Sequence, residues 1–291
     1  MDDTEAQFLD ALYSGVVESS DLRRALELIQ SMFNCVGGAL LSIDAKAPVA
    51  DIVLMSGVSN EHGRLYAEQF IDIDPAPAIF ARLAVGAASA TDRLMTAKER
   101  KSLPFVNEFL RPIGVTETLG GNLFLDRQRF SLIGLLRGGD RPQFDDADIA
   151  RLERLMPHIT RALQLRRVFH RLETKNLALQ TSLERSPAGL VLLDSDRTAL
   201  FVNIAMHVIA KRGDGLALDR FGYPRLTNLV ARAKFDALYE DAATGGAGGI
   251  VTAPRASGVP RIFHFSGPGA CFARSIDLGQ SGLRRHDRGR A

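Results

Sequence analysis

Between residues 19 and 33 the apolar positions Leu22, Leu26, Ile29 and Phe33 recur every three or four residues, the spacing of one helical face. Ser19 or Ser20 stands where a cap belongs. The pattern then changes. "CVGGALLSI" is a short buried-strand run, "DAKAP" carries turn residues, and "VADIVLMSG" is a second run, so residues 35–56 predict a hairpin. "NEHGRLYAEQFIDIDP" returns to helical spacing and stops before Pro75. Pro77, Pro104 and Pro112 break residues 75–113 into short helical pieces. "TETLGGNLFL" and "RFSLIGLLRG", joined by "DRQ", predict another hairpin, with Gly120 and Gly121 relieving crowding at a bend or bulge. Helix, two strands, helices, two strands, helix is an α+β order with an antiparallel sheet.

The longest helical segment follows, over residues 145–185. Asp145 or Asp146 caps it, acids fill its first turn, and Pro157 predicts a kink. Beyond the kink, Ala162, Leu165, Phe169, Leu172, Asn176, Leu179 and Leu183 are spaced alternately three and four. That is a heptad seam with Asn176 at an a position, where asparagine fixes register and two-strand pairing. It predicts a homodimer through Leu165, Phe169, Leu172, Asn176, Leu179 and Leu183; the competing account is one amphipathic helix lying on its own domain.

Pro187 ends that helix. "AGLVLLDSDRTALFVN" predicts strand, turn and strand, with a helix opening near Asn203. "LTNLVARAKFDALYEDAA" is a further helix, "TGGAGG" a flexible break, and "IVTAPRASG" and "VPRIFHFSG" two strands. After Gly267 the isolated hydrophobics have no period, and Gly, Arg and Ser dominate. Residues 267–291 are therefore expected to form a disordered basic tail.

A chain of 291 residues corresponds to about two domains. Its 36 basic and 34 acidic side chains give a net charge of +2, so any nucleic-acid contact would have to be local. Cys35 and Cys271 fit neither a disulfide framework nor a metal spacing, and the acidic start is no signal peptide. The expectation is a cytoplasmic protein without a membrane span, a metal or a cofactor.

The stretches "FVNEFLRPIGV" (105–115), "LIGLLRGGDRPQFDDADIARLERLMPHITRALQLRR" (132–167) and "SPAGLVLLDSDRTALFVNIAM" (186–206) resemble bacterial LuxR-type transcriptional regulators. "RGDGLAL" (212–218) and "PRASGVPR" (254–261) extend the likeness. The resemblance implies two sensor domains with antiparallel sheets, GAF-like over residues 1–144 and PAS-like over 186–266, joined by the long coiled-coil helix 145–185. It implies regulation of transcription and signal transduction. Two departures bear on function. Lactone sensors of this kind use tryptophans at the ligand head, and this chain has none; acyl-homoserine lactone is not the expected ligand. The family's helix-turn-helix does not follow residue 267, and the PAS-like sheet is expected to lack its fifth strand. The chain is thus expected to be the sensory and dimerisation part of such a regulator, ending before its DNA reader. The sensory half of a histidine kinase or cyclic-dinucleotide protein is the alternative.

For a ligand pocket in the first domain the candidate lining is Tyr66, Phe70, Asp74, Phe80, Phe105 and Phe109; the same aromatics would equally serve as core. Asp74 either meets a ligand amide, as the Asp-Pro of lactone sensors implies, or caps the helix starting near Pro75. Asn203 is expected to cap the first PAS-like helix. No HExxH, nucleophile elbow or phosphate-cradling loop occurs, and His170 is read as a solvated heptad flank. No enzyme activity is expected. The tail arginines could touch phosphates, but without a structured reader no defined DNA site is expected.

Overall fold

The computed structural model describes residues 2–44, 52–125, 129–247, 249–255, 258, 260–266 and 271–277. The chain divides into two compact units, Met1–Leu172 and Glu173–Ala291.

Unit 1 opens with a helix not anticipated from the sequence, α1 (Asp3–Ser14), capped by Asp2 and burying Phe8, Ala11 and Leu12. It is followed by α2 (Ser19–Met32). Neither Ser19 nor Ser20 caps α2; its cap residue is Glu18, without a side-chain bond. The Ser19 hydroxyl instead accepts from the Arg166 guanidinium at 2.7 Å. The strands are β1 (Gly37–Asp44), β2 (Ile52–Ser56), β3 (Ala88–Ala90), β4 (Val115–Leu125) and β5 (Arg129–Gly138). They form one antiparallel sheet in the order β2-β1-β5-β4-β3. Both expected hairpins are present; β3, three residues inside the Pro-broken stretch, is an addition to them.

Strand alternation gives this sheet two apolar faces. Leu40, Leu119, Leu123 and Ile133 pack with α1, α2 and the first half of the long helix α7 (Asp146–Glu184). Leu41 and Leu132 face the other way, toward the short helices α3 (Asn60–Leu65), α4 (Ala76–Phe80), α5 (Thr91–Leu94) and α6 (Ala97–Ser102). The glycine pair of β4 relieves crowding on both faces. A Cβ on Gly120 would stand 2.2 Å from the Phe80 ring, and one on Gly121 2.6 Å from the Met156 thioether. Arg137 of β5 is buried and donates to Phe33 O, Pro142 O and Asp148.

Helix α7 passes through Pro157 as one continuous helix, and Asp145 caps it by accepting from the Asp148 N–H at 2.8 Å. Ala162, the first position of the heptad seam, belongs to the core of unit 1 and offers nothing to a partner. Leu165, Leu172, Asn176 and Leu179 are exposed, and Phe169 and Leu183 half-buried.

Unit 2 contains β6 (Gly189–Leu193), β7 (Ala199–Val202), α8 (Ile204–Lys211), a small hairpin of β8 (Leu216–Leu218) and β9 (Pro224–Leu226), α9 (Leu229–Ala243), β10 (Gly249–Ala253), β11 (Arg261–Ser266) and β12 (Cys271–Asp277). The sheet order is β10-β11-β12-β6-β7. β12 corrects two expectations. The segment assigned to a disordered tail forms a strand, and the sheet has five strands. β12 lies at its centre, paired with β11 through Phe263↔Ser275 and with β6 through Ala273↔Val191. Its sequence hides it: small residues alternate with Phe272, Arg274 and Ile276 among glycines and arginines, so no hydrophobic run announces a strand. Residues 278–291, with the tail arginines, lie outside the described residues.

Asn203 caps α8 as expected and does more. Its Oδ1 accepts from the N–H groups of Leu190 (2.8 Å) and Met206 (2.9 Å), and its Nδ2 donates to the carbonyls of Ala188 (2.8 Å) and Leu183 (3.2 Å). Wholly buried, it ties the end of α7, β6 and α8 together.

Candidate functional site

Two stretches of helix in unit 1 widen to π geometry, Tyr66–Phe70 after α3 and Phe105–Leu110 after α6. Such wide turns re-aim side chains and occur often at functional sites. Here they turn four rings toward one another. Tyr66 and Phe109 are 5.5 Å apart, Phe70 and Phe109 5.2 Å, and Phe105 and Phe109 5.2 Å between centroids. The rings sit on the second face of the sheet beside Val115 and Leu136.

Between these rings, α4 and the sheet lies a cavity of about 80 Å³. Ala39, Leu41 and Leu132 form its floor, and Tyr66, Asp74, Phe80, Phe105 and Phe109 its walls. Of the six residues singled out from the sequence, those five line it; Phe70 stands behind Phe105 and Phe109 and supports them. The floor residues, with Thr91, Arg100 and Thr118, were not foreseen. One signal for Arg100 was legible: Thr96 and Glu99 have the spacing of a capping box, and that box forms at the start of α6, fixing the turn that carries Arg100.

Polar groups around the cavity are few and placed. The Tyr66 hydroxyl donates to Asp74 Oδ2 at 2.9 Å, and Asp74 Oδ1 accepts from the Ala76 N–H at 2.8 Å. Asp74 therefore holds the start of α4 and also faces the cavity. Burial pushes its carboxyl above the usual carboxylate range, opposed by the Ala76 N–H and the Tyr66 hydroxyl. Burial, with the Asp74 charge beside it, pushes the Tyr66 phenol up strongly, so that it stays a donor. The Thr91 hydroxyl accepts from the Thr118 N–H at 3.2 Å, joining α5 to β4 at the rim.

The cavity is an apolar space on one sheet face with a few convergent polar groups at its wall. Among the described residues no group of three or more His, Cys, Asp or Glu could hold a metal. Among the described residues no helix is long and apolar enough to cross a membrane.

An α+β domain with such a pocket is the class defined by fold and site. No family model matches the sequence, and no curated protein sequence matches it. Solved structures similar to the chain share little of its sequence. The VqsR LBD domain from Pseudomonas aeruginosa is 14% identical, with 58% of this chain covering 99% of that one at a TM-score of 0.43. The N-acylhomoserine lactone dependent LuxR family transcription factor CepR2 from Burkholderia cenocepacia is 11% identical, with coverage of 56% and 94% and a TM-score of 0.41. A GAF domain/HD domain protein from Geobacter sulfurreducens is 16% identical, with coverage of 54% and 98% and a TM-score of 0.40.

Proposed function

We propose that unit 1 is the ligand-binding sensor of a LuxR-type transcriptional regulator, that it binds a small molecule rather than turning one over, and that the regulator acts as a homodimer. The observation that carries the sensor reading is the apolar cavity under the two π-helical turns. A core built only for stability closes such space, because interiors pack to crystal-like density. Here Tyr66 and Asp74 spend their polar atoms holding the wall, and the walls are short helical pieces that can move apart. The dimer reading is supported by the exposed seam of α7, where Leu165, Leu172 and Leu179 are 46%, 60% and 64% exposed. The reading of unit 2 as PAS-like is supported by its five strands, which follow the same order as those of unit 1.

Calorimetric titration of the full chain with medium-chain alcohols, esters and carboxylates tests the sensor reading. At least one class should bind with 1:1 stoichiometry, and Ala39→Phe, which puts a ring into the floor, should abolish that binding while the protein stays folded. If no member binds, or if Ala39→Phe binds as well as the wild type, the cavity is not a ligand site.

A further inference from the structure

We infer that the ligand is an amphiphile with one anionic head group, its apolar chain in the cavity and its head on Arg100. The inference rests on the sensor reading above and specifies the ligand that reading leaves open.

Arg100 stands at a junction. It lines the apolar cavity and also two depressions beyond it, of about 340 and 280 Å³, the first partly apolar with Lys101 and Arg111 at its rim and the second mainly polar with Arg137 and Arg141. Met95 and Val106 line both the cavity and the first depression, so the two spaces share a wall, and Arg100 is common to all three. A molecule that fills the cavity and reaches past Arg100 meets apolar surface along its length and basic side chains at its far end.

The state of Arg100 sets the sign of the head group. Its side chain is half-buried, yet among the described residues it has neither a hydrogen bond nor an ion pair. A guanidinium taken partly out of water ordinarily finds a carboxylate or carbonyl, because desolvating an unpaired charge is costly. Arg137, which lines the second depression with Arg100, shows the ordinary outcome: both its terminal nitrogens donate, one of them to Asp148 at 3.0 Å. The carboxylates nearest Arg100 are Asp92 and Glu117, and both interact with it at longer range. Glu117 is already used, its Oε2 accepting from the Phe144 N–H at 3.0 Å. Against these two acids, Lys101, Arg111 and Arg141 also line the depressions and keep them positive. A cationic head would be repelled there. A neutral one would leave the guanidinium unmatched, whereas a carboxylate or phosphate can take two parallel hydrogen bonds from its fork. The capping box at Thr96 and Glu99 holds α6 in place before any ligand arrives, with Glu99 Oε2 accepting from the Thr96 N–H at 2.7 Å.

The test compares decanoate with methyl decanoate, which share a chain and differ in head charge, by calorimetric titration of the full chain. Decanoate is expected to bind at least tenfold more tightly. Arg100→Gln should erase that difference by weakening decanoate far more than the ester, and Arg100→Lys should restore part of it. Ala39→Phe should block both molecules, placing them in the cavity rather than on the surface. Equal affinities in the wild type overturn the anionic head while leaving the sensor reading in place. Binding of neither molecule overturns this inference, and failure of the alcohols as well overturns the sensor reading with it. The wild-type comparison decides the matter even where Arg100→Gln does not fold.

Discussion

Counted within each unit, the strands of both sheets run in the order 2-1-5-4-3. What lies on them differs. In unit 2 the fifteen-residue helix α9 sends Phe235 and Tyr239 onto the sheet. There the rings interlock edge to face: Tyr223 with Phe235 at 87°, Tyr223 with Tyr239 at 88°, and Phe235 with Phe263 at 88°. Both tyrosine hydroxyls are anchored, Tyr223 on Asp236 and Tyr239 on the Asp194 carbonyl. In unit 1 the corresponding cover is four helices of four to six residues, with one π turn after the first and another after the last. Its rings lean on one another at 26° to 70° and leave a cavity between wall and sheet. A long helix covers a sheet with side chains in a fixed 3.6-residue rhythm; broken pieces set each ring separately and can be spaced around a void. Here the same kind of residue is packing in one unit and lining in the other.

The comparison breaks most visibly at Asn203. Asn203→Ala strips partners from the buried Leu190 and Met206 N–H groups and the Ala188 carbonyl, and should destabilise unit 2 by about 3 kcal/mol or more. Hydrogen exchange read by mass spectrometry should then show protection lost in β6, β11 and β12 and kept in β4 and β5. Parallel loss in both units would mean that they unfold as one.

Glycine-to-alanine changes sharpen the contrast. At Gly120 the new methyl would overlap the tip of the fully buried Phe80 ring, 2.2 Å from Cζ, so Gly120→Ala should cost about 2 kcal/mol and push Phe80 into the cavity, weakening ligand binding as well. At Gly189 the nearest atom is the tip of Ile209, 2.9 Å away, which can turn aside, and the backbone Cα of Met206 follows at 3.1 Å, close but clear of overlap. Gly189→Ala should cost about 1 kcal/mol or less. Thermal unfolding of the two variants gives the order directly, and the reverse order would contradict the packing described here.

A third contrast is electrostatic. Burial raises the carboxyls of Asp74 and Glu117, with the neighbouring Asp92 adding to the effect on Glu117. The folded state then holds protons that the unfolded state has released above about pH 4. Unit 1 should therefore lose stability as pH rises from about 4 through the two raised values, and hold that loss above them. In unit 2, burial also acts upward on Asp219, but the N–H groups of Phe221 and Tyr223 and the Arg225 guanidinium outweigh it and lower the carboxyl. Its contribution is present above about pH 4 and lost as pH falls through the lowered value. Exchange followed from pH 4 to pH 8 should show unit 1 relatively more protected at the lower end, and the Asp74→Asn/Glu117→Gln double variant should flatten that difference. No change in the wild type over this interval would remove the claim of buried, protonating acids.

The smallest effect on stability is expected on the seam of α7. Leu165→Asp with Leu172→Asp should move each unit's unfolding by no more than about 0.5 kcal/mol, the ordinary range for exposed positions, while sedimentation shifts from dimer to monomer. A wild-type chain that sediments as a monomer at tens of micromolar would end the dimer reading.

Much of this was legible in the chain, for identifiable reasons. Hairpins with continuous apolar runs, such as Val115–Leu125 with Arg129–Gly138, declare themselves by composition. Asp145 and Asn203 declare themselves as caps, and Tyr66, Phe80, Phe105 and Phe109 as rings in need of burial. Whether those rings enclose a space was not legible, because that depends on where two π turns insert an extra residue, and nothing in "LYAEQF" or "FVNEFL" forces one. Ala39, Leu132 and Thr118 read only as strand residues until β1, β5 and β4 are brought side by side. β12 was lost because sequence pattern records hydrophobicity, and a strand paired on both edges is held by backbone hydrogen bonds that leave no such record.

The central position of β12 also bears on how the protein is made. β6 and β7 emerge from the ribosome early, yet the two halves of their sheet have no hydrogen-bonded connection until residues 271–277 arrive between them. Until then β6 and β11 each carry an open row of donors and acceptors, the condition in which strands pair with the wrong neighbour. Unit 1 faces the same wait for β5, but that strand comes only four residues after β4 and closes its sheet while the rest of the chain is still being synthesised. Synthesis thus passes through a stage with a finished first unit followed by an unfinished sheet, and chaperone dependence should concentrate in that interval.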